Sequence, residues 1–202
     1  MAKYIKKNAK TDDLIISTTI KLAKEHGLFH VTISNIINEA NINRSTFYRH
    51  FLDKYDLINE MENRVLKRIQ LNQRMLYQTK IHEIKNFEIS RVFFFTLLTI
   101  IDENHEILAF LFSRNGDPAF SQRLVGLFLE MSYESWNYII KSDDSKGMKL
   151  FANYSVGAIL ASIKLWIDNY DQYTKQEVFD FLIKVRKSEI SALDLDEKTT
   201  GN

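Results

Sequence analysis

Residues 32–54 read Thr-Ile-Ser-Asn-Ile-Ile-Asn-Glu-Ala-Asn-Ile-Asn-Arg-Ser-Thr-Phe-Tyr-Arg-His-Phe-Leu-Asp-Lys. Two short helical segments around the break Asn41-Ile42-Asn43 make a helix-turn-helix pattern. Thr32 opens the first segment, which sets Ile33, Ile36, Ile37 and Ala40 on one face. The break needs a residue that accepts a left-handed φ, and Asn41 tolerates that region better than most. It also needs an apolar plug at the corner, which Ile42 supplies. Asn43 is a cap for the second segment. That segment, about 44–51, buries Phe47 and Phe51. Its other side leaves Arg44, Ser45, Thr46, Tyr48, Arg49 and His50, nearly all hydrogen-bond donors, free for a groove. Asp53 then caps a longer helix that begins at Lys54.

The same helical grammar extends outward. The chain has 202 residues, with no cysteine, one proline and six glycines. A β-sandwich or barrel needs a turn signal every ~8–12 residues, and these counts cannot supply it. The absence of cysteine excludes disulfides, thiolate nucleophiles, Cys-ligated zinc and iron–sulfur clusters. Toward the N-terminus, Thr11 is expected to cap a helix whose first turn carries Asp12 and Asp13. Gly27 is its stop, and residues 1–10 form a basic arm with Lys3, Lys6, Lys7 and Lys10. Toward the C-terminus, helices are expected at 87–101, 105–112, from Pro118 onward, at 148–169, and from Thr174. Thr174 with Glu177 three residues later is a capping box. That helix is expected to end near Ser191. No segment alternates with period two. The expected fold is all-α, with about nine helices. A three-helix domain spans 1–57, a helical bundle 58–191 and a flexible tail 192–202.

The charge balance supports two parts. The chain as a whole carries 27 basic and 26 acidic side chains, a formal net of +1. Residues 1–74 hold 13 basic and 8 acidic groups, a net of +5, and the remainder holds 14 and 18, a net of −4. Such asymmetry points to one part that faces an anionic partner.

The run from Thr32 to Leu57, above all residues 45–51 and the following Asp53-Lys54, resembles the TetR family of bacterial transcriptional regulators. Asn41 departs from the family, which usually has Gly there. The resemblance implies a double-stranded DNA operator as partner. It gives Thr32, Tyr48 and Lys54 to phosphates, and Arg44, Ser45 and Thr46 to base edges, where sequence is read. Arg49 is either a DNA contact or a solvated charge. His50 is either a phosphate donor or a packing residue. The basic arm is either mobile or reaches the minor groove or backbone.

Residues 85–191 hold most of the aromatics, and Phe93-Phe94-Phe95 implies a helix buried on nearly all sides. The family places an effector pocket in this domain. Arg91, His105, Tyr133, Trp136 and Tyr154 are its polar or amphipathic candidates, against the alternative of satisfied structural roles. The segment from Asn115 through Phe120, with the helix from Gly157 to Ile167, resembles the subgroup that includes regulators of dihydroxyacetone kinase operons. Some of that subgroup act through a protein partner rather than a small molecule. The last two helices are the expected homodimer surface, through Val156, Ile159, Leu160 and Ile163 on one and Val178, Phe181, Leu182 and Val185 on the other. Gly157, Ala158, Ala161 and Ser162 would permit close approach. The alternative is packing within one chain.

Catalysis has little support: no Gly-rich phosphate loop, no Gly-x-Ser-x-Gly and no Cys nucleophile are present. Of the five histidines, His26, His30, His50, His82 and His105, only His26 and His30 stand four apart, and they do so across the Gly27 stop, so no metal is expected. No cofactor is expected either. The longest uncharged run, 150–163, has 14 residues, short of the ~18 a membrane span needs, so the expectation is a cytoplasmic chain without membrane contact. The functional expectation is a repressor that binds a palindromic operator as a homodimer and answers to an unknown effector. The alternative is a helical coactivator or interaction module acting mainly through a protein partner.

Overall fold

A computed structural model describes residues 2–80, 87–139 and 145–199, with backbone alone at 2–8, 75–80, 87, 89, 135–139, 145, 190 and 192–199. The described elements are α1 (Ala2–His26), a 3-10 turn (Leu28–His30), α2 (Ile33–Glu39), α3 (Arg44–His50), α4 (Lys54–Lys80), α5 (Phe87–Glu103), α6 (His105–Leu111), α7 (Phe120–Ile139), α8 (Ser145–Asp168) and α9 (Lys175–Thr199). Among the described residues there is no strand.

Two expectations at the ends are corrected. Thr11 is not an N-cap, because α1 already runs from Ala2 and takes residues 2–10 into the helix. Asp12 and Asp13 instead anchor distant parts of the fold. Asp12 pairs with His50 at 2.6 Å and Asp13 with Arg64 at 2.5 Å. At the other end, α9 continues past Ser191 to Thr199. Residues 200–202 of the expected tail lie outside the described residues.

The chain divides into two compact units, one of residues up to 66 with 106–122, the other of 67–105 with residues from 123 onward. The division falls inside α4, and the Asp13–Arg64 pair joins that helix to α1 within the first unit.

In the first unit, α1 packs on the 3-10 turn, α2 and α3. Ile15, Ala23, Leu28, Ile36, Phe47, Leu57 and Met61 are fully buried there. Gly27 ends α1 at φ +81°, a value that disfavours any side chain. The loop after α6 clasps this end. The Leu28 amide donates to the Asn115 carbonyl at 3.0 Å, and the Asn115 side-chain amide donates to the Lys24 carbonyl at 3.0 Å. Gly116 makes the loop possible, because a Cβ there would lie 2.3 Å from the Phe110 carbonyl oxygen.

In the second unit, α9 packs on α5 and α8 around Leu97, Leu98 and Trp166. The capping box at Thr174 forms: the Glu177 carboxylate accepts from the Thr174 amide at 2.8 Å, which holds that carboxyl below its ordinary pKa. At the start of α6, His105 stacks on Tyr170 with ring centroids 4.1 Å apart. The Tyr170 hydroxyl donates to the Asp102 carboxylate, and Lys175 lies 3.2 Å from it. By length and composition, residues 146–168 of α8 could cross a membrane. The run reads as apolar because two opposite sides of one bundle helix are apolar, as the burial pattern below shows.

Candidate nucleic-acid interface

The helix-turn-helix is fixed by local hydrogen bonds at every joint. Thr32 caps α2: its hydroxyl oxygen accepts from the Asn35 amide at 3.2 Å, and the Asn35 side chain accepts from the Thr32 amide at 3.0 Å. After α2, Asn41 takes φ +49°. The Ile42 amide reaches back to the Ile37 carbonyl at 3.1 Å, and Asn41 to Asn38 at 3.2 Å. This is the paired bonding of a Schellman motif. Asn43 caps α3, and its Oδ1 accepts from the Thr46 amide at 2.8 Å. The Ser45 and Thr46 hydroxyls donate to the same oxygen, at 2.7 and 2.8 Å. Asp53 caps α4 through the Asp56 amide at 2.8 Å.

Phe47 and Phe51 point inward, 5.9 Å apart between ring centroids. Arg44, Ser45, Tyr48 and Arg49 are exposed on the opposite side of α3, and Thr46 is half-buried. Tyr48 is 43% exposed, too open for a core aromatic. Arg44 lies over its ring, 5.4 Å from the centroid. This side carries two guanidiniums, three hydroxyls and no carboxylate, a surface suited to phosphate and base edges.

Two of the expected contact residues have partners within the chain. The His50 side chain is only 7% exposed and its Nδ1 meets Asp12, so it ties α3 to α1 and leaves the groove-facing set. Of its two open readings, packing is the one the geometry matches. Lys54 directs its ammonium at the carbonyls of Leu28, Phe29 and Val31, at 3.2, 3.2 and 3.1 Å. Asp12, expected as a first-turn carboxylate, meets the recognition helix through a partner 38 positions away, which local sequence does not signal.

Comparison with known proteins matches this geometry. Residues 15–61 fit the model of bacterial regulatory proteins of the tetR family, and residues 90–188 fit a transcriptional regulator C-terminal region. The chain belongs to the TetR family. As a TetR-family transcriptional regulator it carries its helix-turn-helix DNA-binding domain at the N-terminal end. Over 62 residues, 30% of the chain, it is 40% identical to the "Probable acrEF/envCD operon repressor" of Escherichia coli (strain K12), and the match spans 28% of that relative's length. Its fold is similar to that of a TetR-family regulator from Syntrophomonas wolfei, with a TM-score of 0.68, 19% identity, and 91% and 96% of the two chains covered. It is also similar to the dihydroxyacetone kinase operon activator DhaS, with a TM-score of 0.55, 17% identity, and 90% and 97% covered.

In the second unit of this TetR-family chain, each described effector candidate has its own local surroundings. Arg91 is exposed beside Glu88 and over the Phe179 ring. His105 is engaged by Tyr170 and by the Asp102 carbonyl. Tyr133 accepts from Asn153 at 3.3 Å, and Tyr154 is exposed. The Trp136 side chain and His82 lie outside the described residues. In the first unit, an open cleft of about 430 Å³ is lined by Leu22, His26, His30, Val31 and Asn35. Among the described residues no group of three acidic or histidine side chains could hold a metal.

The residues of the expected dimer stripe differ in exposure within the single chain. Val156, Ile163, Val178 and Leu182 are buried within the single chain, while Ile159, Leu160 and Val185 are half-buried. The outward side of α8 carries Leu150, Tyr154, Gly157, Ala158, Ala161 and Leu165, and that of α9 carries Phe181, 54% exposed. Spacings of three and four residues link the α8 set into one stripe. That periodicity is in the sequence, but so is the buried one. Only packing tells which side faces inward.

Proposed function

We propose that this protein is a homodimeric repressor that binds a palindromic DNA operator and is modulated by an effector. The observation that carries the reading is the outward side of α3, where Arg44, Ser45, Tyr48 and Arg49 stand exposed without a carboxylate among them. In the major groove, Arg44, Ser45 and Thr46 would meet base edges, and Tyr48, Arg49 and Thr32 would meet phosphates. Two such helices must sit about 34–36 Å apart to read successive half-sites. The exposed apolar stripe of α8, with Phe181, supports a second copy as the means of pairing them.

An effector, whether a small molecule or a protein partner, would act by binding one arrangement of the two heads better than the other. The repressor sense rests on the name of the Escherichia coli relative, and a cytoplasmic location follows from access to DNA. The test is to sequence duplex fragments selected by the pure protein and to titrate the selected duplex against salt. Recovery of an inverted repeat, with affinity falling steeply as salt rises, is the expected result. Capture of a protein partner with no footprint on DNA would instead support the interaction-module reading. Reporter expression with the chain deleted gives the sign of regulation.

A further inference from the structure

Leu52, Phe29 and Tyr55 are 79%, 73% and 73% exposed, more than any other described large apolar side chain except Leu150 of the α8 stripe. All three belong to the first unit, and its fold brings them to one place. The Lys54 side chain meets the carbonyls of Leu28, Phe29 and Val31 at 3.1–3.2 Å. The turn that carries Phe29 therefore sits against the start of α4, where Leu52 and Tyr55 stand on either side of Lys54 in the chain. The patch continues the outward side of α3. Tyr48, itself 43% exposed, comes four residues before Leu52, with the cap Phe51 between them.

Single exposed apolar groups are ordinary, but several together mark an interaction surface. The adjacent carboxylates are turned onto the backbone: Asp56 Oδ2 accepts from the Leu52 amide at 2.9 Å, and Asp53 Oδ1 from the Asp56 amide at 2.8 Å. What remains outward is apolar surface beside one lysine. A strand of duplex DNA alternates the complementary chemistries, an anionic phosphate and a deoxyribose whose C–H faces are apolar. Contacts to phosphate and sugar position a protein without reading sequence.

We infer that Phe29, Leu52 and Tyr55 form an apolar contact surface for DNA, packing on deoxyribose at the edge of each half-site, beside the groove that receives α3. The inference rests on the DNA-binding reading above. Such contacts bury apolar area and neutralise no phosphate. They add affinity on any sequence and leave the slope of log K against log salt unchanged.

The full-length protein is titrated by fluorescence anisotropy against its selected duplex and a scrambled one at several salt concentrations. Hydroxyl-radical footprints of the selected duplex report sugar burial, because the radical abstracts hydrogen from deoxyribose. A variant combining Phe29→Ser, Leu52→Ser and Tyr55→Ser is expected to bind both duplexes about tenfold more weakly. Its salt slope and melting temperature should be unchanged, and protection of sugars at the edges of the half-sites should be lost. Phe29→Leu with Leu52→Met and Tyr55→Phe keeps the apolar surface and should keep both affinity and footprint. Wild-type affinity and footprint in the serine variant would overturn the inference. So would a shallower salt slope, which signals lost phosphate contacts, or an equal loss in the conservative variant, which puts the effect on the Tyr55 hydroxyl. Fewer copies of the chain per duplex in the serine variant would assign the patch to contact between copies instead. If the wild-type chain shows no salt-dependent DNA binding, the DNA-binding reading falls and takes this inference with it. A wild type that binds, beside a serine variant that binds equally well, rejects this inference alone.

Discussion

The Arg44 guanidinium lies over the Tyr48 ring, with its Nη2 3.3 Å from the phenolic oxygen. The two residues are one turn apart on the outward side of α3, so the group best placed for a base edge rests on the group best placed for a phosphate. Their losses should differ in kind. Arg44→Ala is expected to cut the ratio of specific to non-specific affinity by about tenfold or more, the scale of a lost bidentate base contact. Tyr48→Phe should weaken operator and scrambled duplex alike, by about threefold to tenfold. Because they touch, the double variant should depart from additivity. Anisotropy titrations on both duplexes measure all three quantities, and equal losses on the two duplexes in Arg44→Ala would remove its base-reading role.

The Asp12–His50 pair ties the end of α3 to α1 through a nearly buried imidazole. Removing the carboxylate leaves a buried polar ring without that partner, at a cost of about 1–3 kcal/mol. For a chain of this size, that lowers the melting temperature by about 2–4 °C per kcal/mol. Asp12→Ala should therefore melt several degrees lower, while His50→Phe, which fills the space and needs no partner, should lose less. The salt slope of DNA binding should stay constant in both. A slope reduced by about one in His50→Phe would return His50 to the phosphate contacts.

What was legible in the sequence follows the range of the interaction. Thr32, Asn41, Asn43, Asp53 and Thr174 each act on residues within five positions, and local chemistry assigned all five. Asn41 shows it best, since its left-handed backbone was expected from residue type alone and appears at φ +49°. Asp12 and Asp13 went the other way. Two carboxylates after a threonine look like a helix start, but their partners lie 38 and 51 residues away. The intrachain partners of His50 and Lys54 were hidden for the same reason, since they lie 38 and 23 to 26 residues away. On α8, two apolar stripes share one helix, and hydropathy is silent about which one the bundle covers.

That second stripe makes a prediction about assembly. Ala161 is exposed among Tyr154, Ala158 and Leu165, where a glutamate would meet solvent in a monomer and a buried apolar surface in a dimer. Ala161→Glu should halve the sedimenting mass, leave the helical circular dichroism intact and weaken operator binding. Val156→Glu, at a position buried within the single chain, should instead lower the helical signal. An unchanged mass in Ala161→Glu would move the dimer contact elsewhere.

The Asp102 carboxylate supplies a pH test in the second unit. The hydrogen bond from the Tyr170 hydroxyl, assisted by the nearby Lys175 ammonium, holds its pKa below the ordinary value, and the same bond raises that of Tyr170. Both shifts favour ionised Asp102 beside neutral Tyr170 in the folded state. A carboxyl with a depressed folded pKa binds fewer protons folded than unfolded. Its contribution is therefore present above the unfolded value, about 3.9, and is lost as pH falls through the lower folded value. Asp102→Asn keeps an acceptor for Tyr170 and removes the titration. The variant should be less stable than wild type near neutral pH, and the gap should narrow as pH drops below about 4. Urea midpoints at neutral pH and near pH 3 measure the gap, and Tyr170→Phe should shrink its pH dependence because it removes the leading cause of the shift. A gap that is the same at both pH values would show that Asp102 acts through its shape and hydrogen bonding rather than its charge.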